Sequence, residues 1–208
     1  MAKTVVFDLG MVLASPTGLY ERLAGLLGAS PEAVERGFWG PHRIAYDQGG
    51  SDREFWVAAV ALIEGAQVGD LDALLPELVA ADVDGWKQIR PAARAILTDL
   101  AAAGVPRYVL SNAPAAFAAA AAGFDWFELI DTFYFSGVLA VAKPDAASYA
   151  AVEQGTGAAA SDLWFVDDKL ANVDAARARG WHAHLWRDDA DTRSWLAGEG
   201  FLEPAPAA

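Results

Sequence analysis

One arrangement limits the fold of this chain more than any other. A short apolar strand pattern near the N-terminus is followed by a block showing helices alone, and then by regular strand–helix alternation. Residues 3–8 read Lys-Thr-Val-Val-Phe-Asp, a β-branched apolar run closed by an acid. That is how a strand buried on both faces reads. From Pro16 to about Trp86 no strand is evident. Leu19, Leu23, Leu26 and Leu27 recur at helical spacing, and Ser30-Pro31-Glu32 is a helix start with proline at the first helical position. Ser51-Asp52-Arg53-Glu54 has the form of a capping box, and Leu71, Leu74, Leu75, Leu78 and Val79 mark a further helix.

After Pro91 the pattern predicts helices over 91–103, 114–122, 145–154 and 170–179, with a last one through 192–196. Between them lie strands at 105–110, 132–135, 163–166 and 181–186, and a short extended piece at 138–141. Repeated strand–helix units require a parallel sheet covered on both faces. The helical block interrupts this series after its first strand. The expected fold is therefore α/β: a Rossmann-like parallel-sheet core of residues 1–14 and 87–208 with an inserted all-helical cap domain of residues 15–86. A Pro/Ala segment at 203–208 has nothing to pack and is expected to fray.

Composition removes several functions. The 208 residues include no cysteine, which excludes disulfides, thiolate metal sites and cysteine nucleophiles. Fifteen basic against 28 acidic side chains give a net charge of −13. So acidic a chain repels phosphate backbones and anionic lipid, so neither nucleic acid nor a membrane is expected as a partner. Asp8 breaks the N-terminal apolar run too early for a signal peptide, and the weakly polar stretch 113–124 is too short to span a bilayer. The expected location is cytoplasmic. Oligomeric state is not readable from the chain.

In open parallel sheets, ligands bind at the carboxyl ends of the strands. Three predicted strands end in polar groups: Asp8, Ser111-Asn112 and Asp167-Asp168. Lys143 follows the extended piece at 138–141. An aspartate can act as nucleophile through a covalent intermediate. A hydroxyl and an ammonium can hold the oxygens of a transferring phosphoryl group. Paired carboxylates suit Mg²⁺, a hard ion that prefers oxygen ligands.

In order and local sequence these segments resemble the haloacid dehalogenase-like hydrolase superfamily, in its branch with a helical cap after the first strand. Phe7-Asp8-Leu9-Gly10-Met11-Val12-Leu13 is similar to its first motif and Leu110-Ser111-Asn112 to its second. Lys143-Pro144-Asp145 with Tyr149 is similar to the third, and Phe165-Val166-Asp167-Asp168-Lys169-Leu170-Ala171-Asn172-Val173 to the fourth. The resemblance implies a Mg²⁺-dependent phosphatase acting on a small phosphorylated metabolite, with Asp8 as nucleophile. It implies phosphoryl binding by Ser111, Asn112 and Lys143, catalytic roles for Ser111 and Lys143, and a metal held by Asp8, the carbonyl of Gly10, Asp167 and Asp168. Asn172 would stand behind these ligands.

Most phosphatases of the superfamily carry a second aspartate two residues after the nucleophile, as general acid and base. Here that residue is Gly10. The expected substrates are accordingly those with acidic leaving groups, such as sugar 1-phosphates, acyl phosphates and aryl phosphates. The competing readings are a metal-independent 2-haloacid dehalogenase using the same aspartate and a catalytically impaired binding protein. The acidic pair at 167–168 favours the phosphatase. Tyr149 is expected to pack, and His182 and His184 to belong to a half-buried strand rather than a metal site. Trp39, Tyr46 and Trp56 are the cap aromatics that could meet a substrate.

Overall fold

A computed structural model describes residues 3–203, so the expected frayed end lies, apart from Glu203, outside the described residues. Five strands, β1 (Thr4–Phe7), β2 (Arg107–Ser111), β3 (Thr132–Phe135), β4 (Leu163–Asp167) and β5 (His182–Leu185), form one sheet in the order β3-β2-β1-β4-β5. Every neighbouring pair is parallel. This is the Rossmann-like α/β arrangement that strand–helix alternation demands. β1 lies at the centre with all four residues buried. The chain builds outward from it on one side, then returns to the other. The carboxyl ends of β1, β2 and β4 therefore flank one crevice.

Helices α1 (Leu19–Leu27), α2 (Pro31–Phe38), α3 (His42–Asp47), α4 (Asp52–Leu62) and α5 (Leu71–Gly85) follow β1, and α6 (Pro91–Ala102) leads into β2. Their starts are chemically specified. The Ser30 hydroxyl accepts the Ala33 N–H, Ser51 that of Glu54, and Asp70 that of Ala73. α1 to α5 pack on one another around Phe38, Trp56 and Leu78, all fully buried. This apolar cluster continues without a break into Leu9, Leu13, Ala93, Ile96 and Trp126 of the sheet layer. The chain leaves the sheet and returns to it side by side, for Ala14 bridges both Gly10 and Ile89. Arg90 fastens the crossing: its guanidinium donates to the carbonyls of Met11 and Val12 and to both carboxylate oxygens of Asp189.

The rest of the core is α7 (Ala115–Ala120), α8 (Ser136–Leu139), α9 (Ala146–Thr156), α10 (Leu170–Ala178) and α11 (Asp189–Gly198). One expectation is overturned. The piece at 138–141 is not extended: its first part closes α8, and Ala140 takes a left-handed φ of 56°. Contacts distant in sequence impose this turn. The Ser136 hydroxyl accepts the Ala113 N–H and donates to the Asp47 carbonyl of α3, while the Gly137 N–H donates to the Ala113 carbonyl. The last helix contains residues 192–196 as expected, and Asp188 caps its start by accepting the Asp191 N–H.

Candidate active site

Asp8 follows β1 directly, Ser111 and Asp167 close β2 and β4, and Asp168 comes next after Asp167. Lys143 lies on the loop between α8 and α9. The structure brings these groups together. The Lys143 ammonium, almost fully buried, lies 2.9 Å from Asp8 Oδ1 and 2.6 Å from Asp167 Oδ2. Its backbone is fixed as well: the Asn112 side chain accepts the Lys143 N–H at 2.8 Å and donates to the Lys143 carbonyl at 2.9 Å. The Asn112 amide thus positions Lys143, and its second N–H is left for another acceptor.

Asp167 is wholly buried and is the most heavily hydrogen-bonded of the three acids. It accepts from Lys143 Nζ, the Lys169 N–H and both its oxygens from Asn172 Nδ2. Asp8 is less bound. Lys143 and the Leu9 N–H both meet Oδ1, and among the described residues Oδ2 accepts no hydrogen bond. Burial pushes the Asp8 carboxyl up to about 6 against the pull of Lys143, with the like charges of Asp167 and Asp168 adding to the rise. Burial also works against the Lys143 ammonium, yet Asp8 and Asp167 outweigh it and hold that group above its ordinary value. Burial, then Asp167, raises Asp168.

Oxygens of Asp8, Asp167 and Asp168 come within 4.8 Å of one another. Three carboxylates around one ammonium leave an excess of negative charge on hard oxygen donors. That donor set fits Mg²⁺, with Asp168 the most solvent-accessible member and Gly10 among the residues lining the same cavity.

The site opens into a cavity of about 850 Å³ between the sheet and α1 to α5. Ser111, Asn112, Lys143 and Asp168 line its floor, with Gly10, Met11, Trp39, Ile44 and Trp86 on its walls. Of the three cap aromatics, Trp39 faces this space; Tyr46 and Trp56 are buried in the cap core, Tyr46 stacked on Phe55 at 4.1 Å. Tyr149 packs as expected, fully buried between Phe165 and Trp181, its hydroxyl donating to the Asn172 carbonyl. His184 pairs with Asp191 at 2.8 Å and His182 stacks on Trp164, so they do not converge.

The sequence reading missed a charged cluster in the cap. Arg43, 7% exposed, pairs with Asp47 at 2.8 Å and Asp82 at 3.3 Å, and its guanidinium lies over the ring of Phe38. Burial raises the Asp47 carboxyl to about 6, against the pull of Arg43. The only signal was the four-residue spacing of Arg43 and Asp47, which is equally that of a solvated helix pair.

Residues 2–180 match the haloacid dehalogenase-like hydrolase family. The chain belongs to this family. An enolase-phosphatase E1 of Serratia proteamaculans is 46% identical over 54 residues, 26% of this chain and 24% of that protein. A sesquiterpene phosphatase, astK, of Aspergillus oryzae is 35% identical over 96 residues, 44% of this chain and 48% of that protein. The matches thus span from a quarter to about half the length of these relatives. Among solved haloacid dehalogenase-like structures, an enzyme of Bacteroides thetaiotaomicron in complex with magnesium and inorganic phosphate superposes with a TM-score of 0.70. It is 19% identical, over 90% of this chain and 95% of that one. An L-2-haloacid dehalogenase of Xanthobacter autotrophicus with chloropropionic acid covalently bound gives 0.67 at 22% identity, over 99% and 85%. At such identities these two likenesses establish the fold.

Proposed function

We propose that this hydrolase is a Mg²⁺-dependent phosphatase of small phosphorylated metabolites, working through an aspartyl-phosphate on Asp8. The observation that carries the reading is the acidic cluster of Asp8, Asp167 and Asp168 around the Lys143 ammonium at the cavity floor. Displacement of a halide from a carboxylate substrate gains nothing from three acids at the reacting centre. A phosphoryl group with a divalent cation does. The partial matches to two phosphatases support the same choice.

Asp8 Oδ2 would attack phosphorus as the ester P–O bond breaks and the leaving oxygen departs as an anion that takes its proton from solvent; water would then cleave the acyl phosphate, releasing inorganic phosphate and regenerating the carboxylate. Lys143, held by Asn112 and Asp167, orients the nucleophile and offsets charge on the phosphoryl oxygens. The Ser111 hydroxyl binds one of those oxygens. Asp8, Asp167, Asp168 and the Gly10 carbonyl would hold the ion, which when bound adds positive charge beside the phosphoryl group. Gly10 supplies no proton, so leaving groups that depart as weak bases are favoured.

A panel of acyl, aryl, sugar and alkyl phosphates is assayed with Mg²⁺ and with chelator, alongside 2-chloropropionate. Hydrolysis of phosphates that ends with chelation, together with a phosphoryl-enzyme trapped in wild type and absent from Asp8→Asn, is expected. Chelator-resistant release of chloride would replace this reading with the dehalogenase. No turnover and no phosphoryl-enzyme would leave a binding protein.

A further inference from the structure

The cavity wall also carries information about what is attached to the phosphate. We infer that the organic part of the substrate is uncharged and presents an apolar face, and that monophosphates with a second anionic group are rejected. This rests on the phosphatase reading above and concerns the half of the cavity remote from Asp8.

The first observation is exposed apolar surface in one place. Met11, Trp39 and Ile44 are 42%, 45% and 66% exposed, and all three line this cavity. They come from the loop after β1, the end of α2 and helix α3, so the chain converges them from separate segments. Trp39 is not a loose surface ring. Its Nε1 donates to the Tyr20 hydroxyl at 2.8 Å, and its edge contacts with Phe38 and Trp86 hold centroids 5.1 and 6.2 Å apart. An aromatic plane fixed before binding costs little further ordering when an apolar face covers it. Met11, another lining residue, holds a left-handed φ of 63°, a conformation a side chain rarely adopts.

The second observation is the charge of the same space. Its lining includes the carboxylates of Glu35, Asp47, Asp82 and Asp145 besides those at the floor. Arg43 is the lining cation on the cap side, and it is already neutralised by Asp47 and Asp82. Lys143 is committed to Asp8 and Asp167. Lys169, a lining residue that makes no ion pair among the described residues, follows Asp168 in the chain and also acts on Asp47. Glu35 is exposed and has no ion pair there either. A second carboxylate or phosphate on the substrate would leave water for a wall of rings and acids in which, among the described residues, Lys169 next to Asp168 is the one lining cation outside an ion pair. An uncharged face meets no such penalty and gains contact with Trp39 and Ile44.

Two aryl phosphates test this without disturbing the leaving group: 4-propylphenyl phosphate, and its relative in which the terminal methyl is a carboxylate. Their phenols are of nearly equal acidity and their shapes nearly equal. Each is measured with Mg²⁺ as a substrate and as a competitive inhibitor of acetyl phosphate hydrolysis, so slow turnover still gives a reading. The propyl compound is expected to show kcat/KM, or affinity as inhibitor, roughly tenfold or more above the carboxylate compound. Trp39→Ala should lower the propyl value, and Glu35→Lys should narrow the gap by raising the carboxylate value. Equal or inverted preference in wild type overturns the inference while acetyl phosphate turnover leaves the phosphatase intact. Absence of hydrolysis of every phosphate overturns both.

Discussion

The glycine at position 10 stands where a proton-carrying side chain is usual, and the structure shows that nothing about the backbone demands it. Its φ is outside the left-handed region, and an added Cβ would meet only Trp86 Cζ3 at 3.7 Å, an ordinary contact. Gly10→Asp should therefore fold. A positioned general acid contributes typically about 10²–10⁴-fold. The substitution is expected to raise alkyl phosphate turnover more than aryl turnover, seen as a rising alkyl-to-aryl ratio of kcat/KM. An unchanged ratio in a folded variant would mean that a proton already reaches the leaving oxygen by another route. Asp168 makes a second prediction. As the accessible member of the acidic cluster it should dominate Mg²⁺ affinity. Ion at about 100 times its dissociation constant would stabilise the native protein by about 2.7 kcal/mol. Thermal scans with and without Mg²⁺ should show an upward shift in wild type that Asp168→Asn loses. An equal shift in both would remove Asp168 from the binding set. These floor residues were legible because each stands at a strand end, where an apolar run stops on a polar group. Arg43, Asp47 and Asp82 were not, since their meaning lies in burial and in α5 delivering Asp82 beside α3.

The element that holds Asp47 has a pH dependence of its own. Arg43, Asp82 and Lys169 face this carboxyl, and burial still lifts it from 3.8 to about 6. A carboxyl raised in the folded protein binds its proton more tightly there than in the unfolded chain. Its contribution favours the fold fully below about pH 4 and is lost as pH climbs through about 6. In urea titrations, wild type should lose about 1–3 kcal/mol relative to Asp47→Asn between pH 4 and pH 7. A difference constant across that range would show that Asp47 stays ionised against Arg43. The helix starts at Ser30 and Ser51 were readable, since capping is local chemistry. α8 was not. Its Val138 and Val141 suggest extension, but Ser136 and Gly137 are tied to Ala113 and, through the Ser136 hydroxyl, to α3. Contacts across about ninety residues of sequence outweigh a local propensity worth a few tenths of a kcal/mol.

Across the molecule, the inserted helices and the sheet core share packing. Leu23, Phe38 and Leu78 of the inserted helices share one apolar cluster with Ile96 and Trp126. α3 also lies against α8, and α5 against α7. Unfolding is therefore expected as one cooperative transition. Tryptophans report from both parts, Trp39, Trp56 and Trp86 near the helical insertion and Trp126, Trp164 and Trp181 in the core. Fluorescence and far-ultraviolet dichroism should give coincident denaturation curves, and two resolved steps would show that the insertion melts alone. The order of the sheet has one more consequence, for the chain as it is being made. β1 leaves the ribosome first, yet its neighbours are β2 and β4, which begin at residues 107 and 163. Through most of synthesis the central and most apolar strand waits with at least one open edge, while the helices that follow it are already complete. Those helices are what can shelter it in the meantime, so the insertion that roofs the finished site also stands guard over the nascent one.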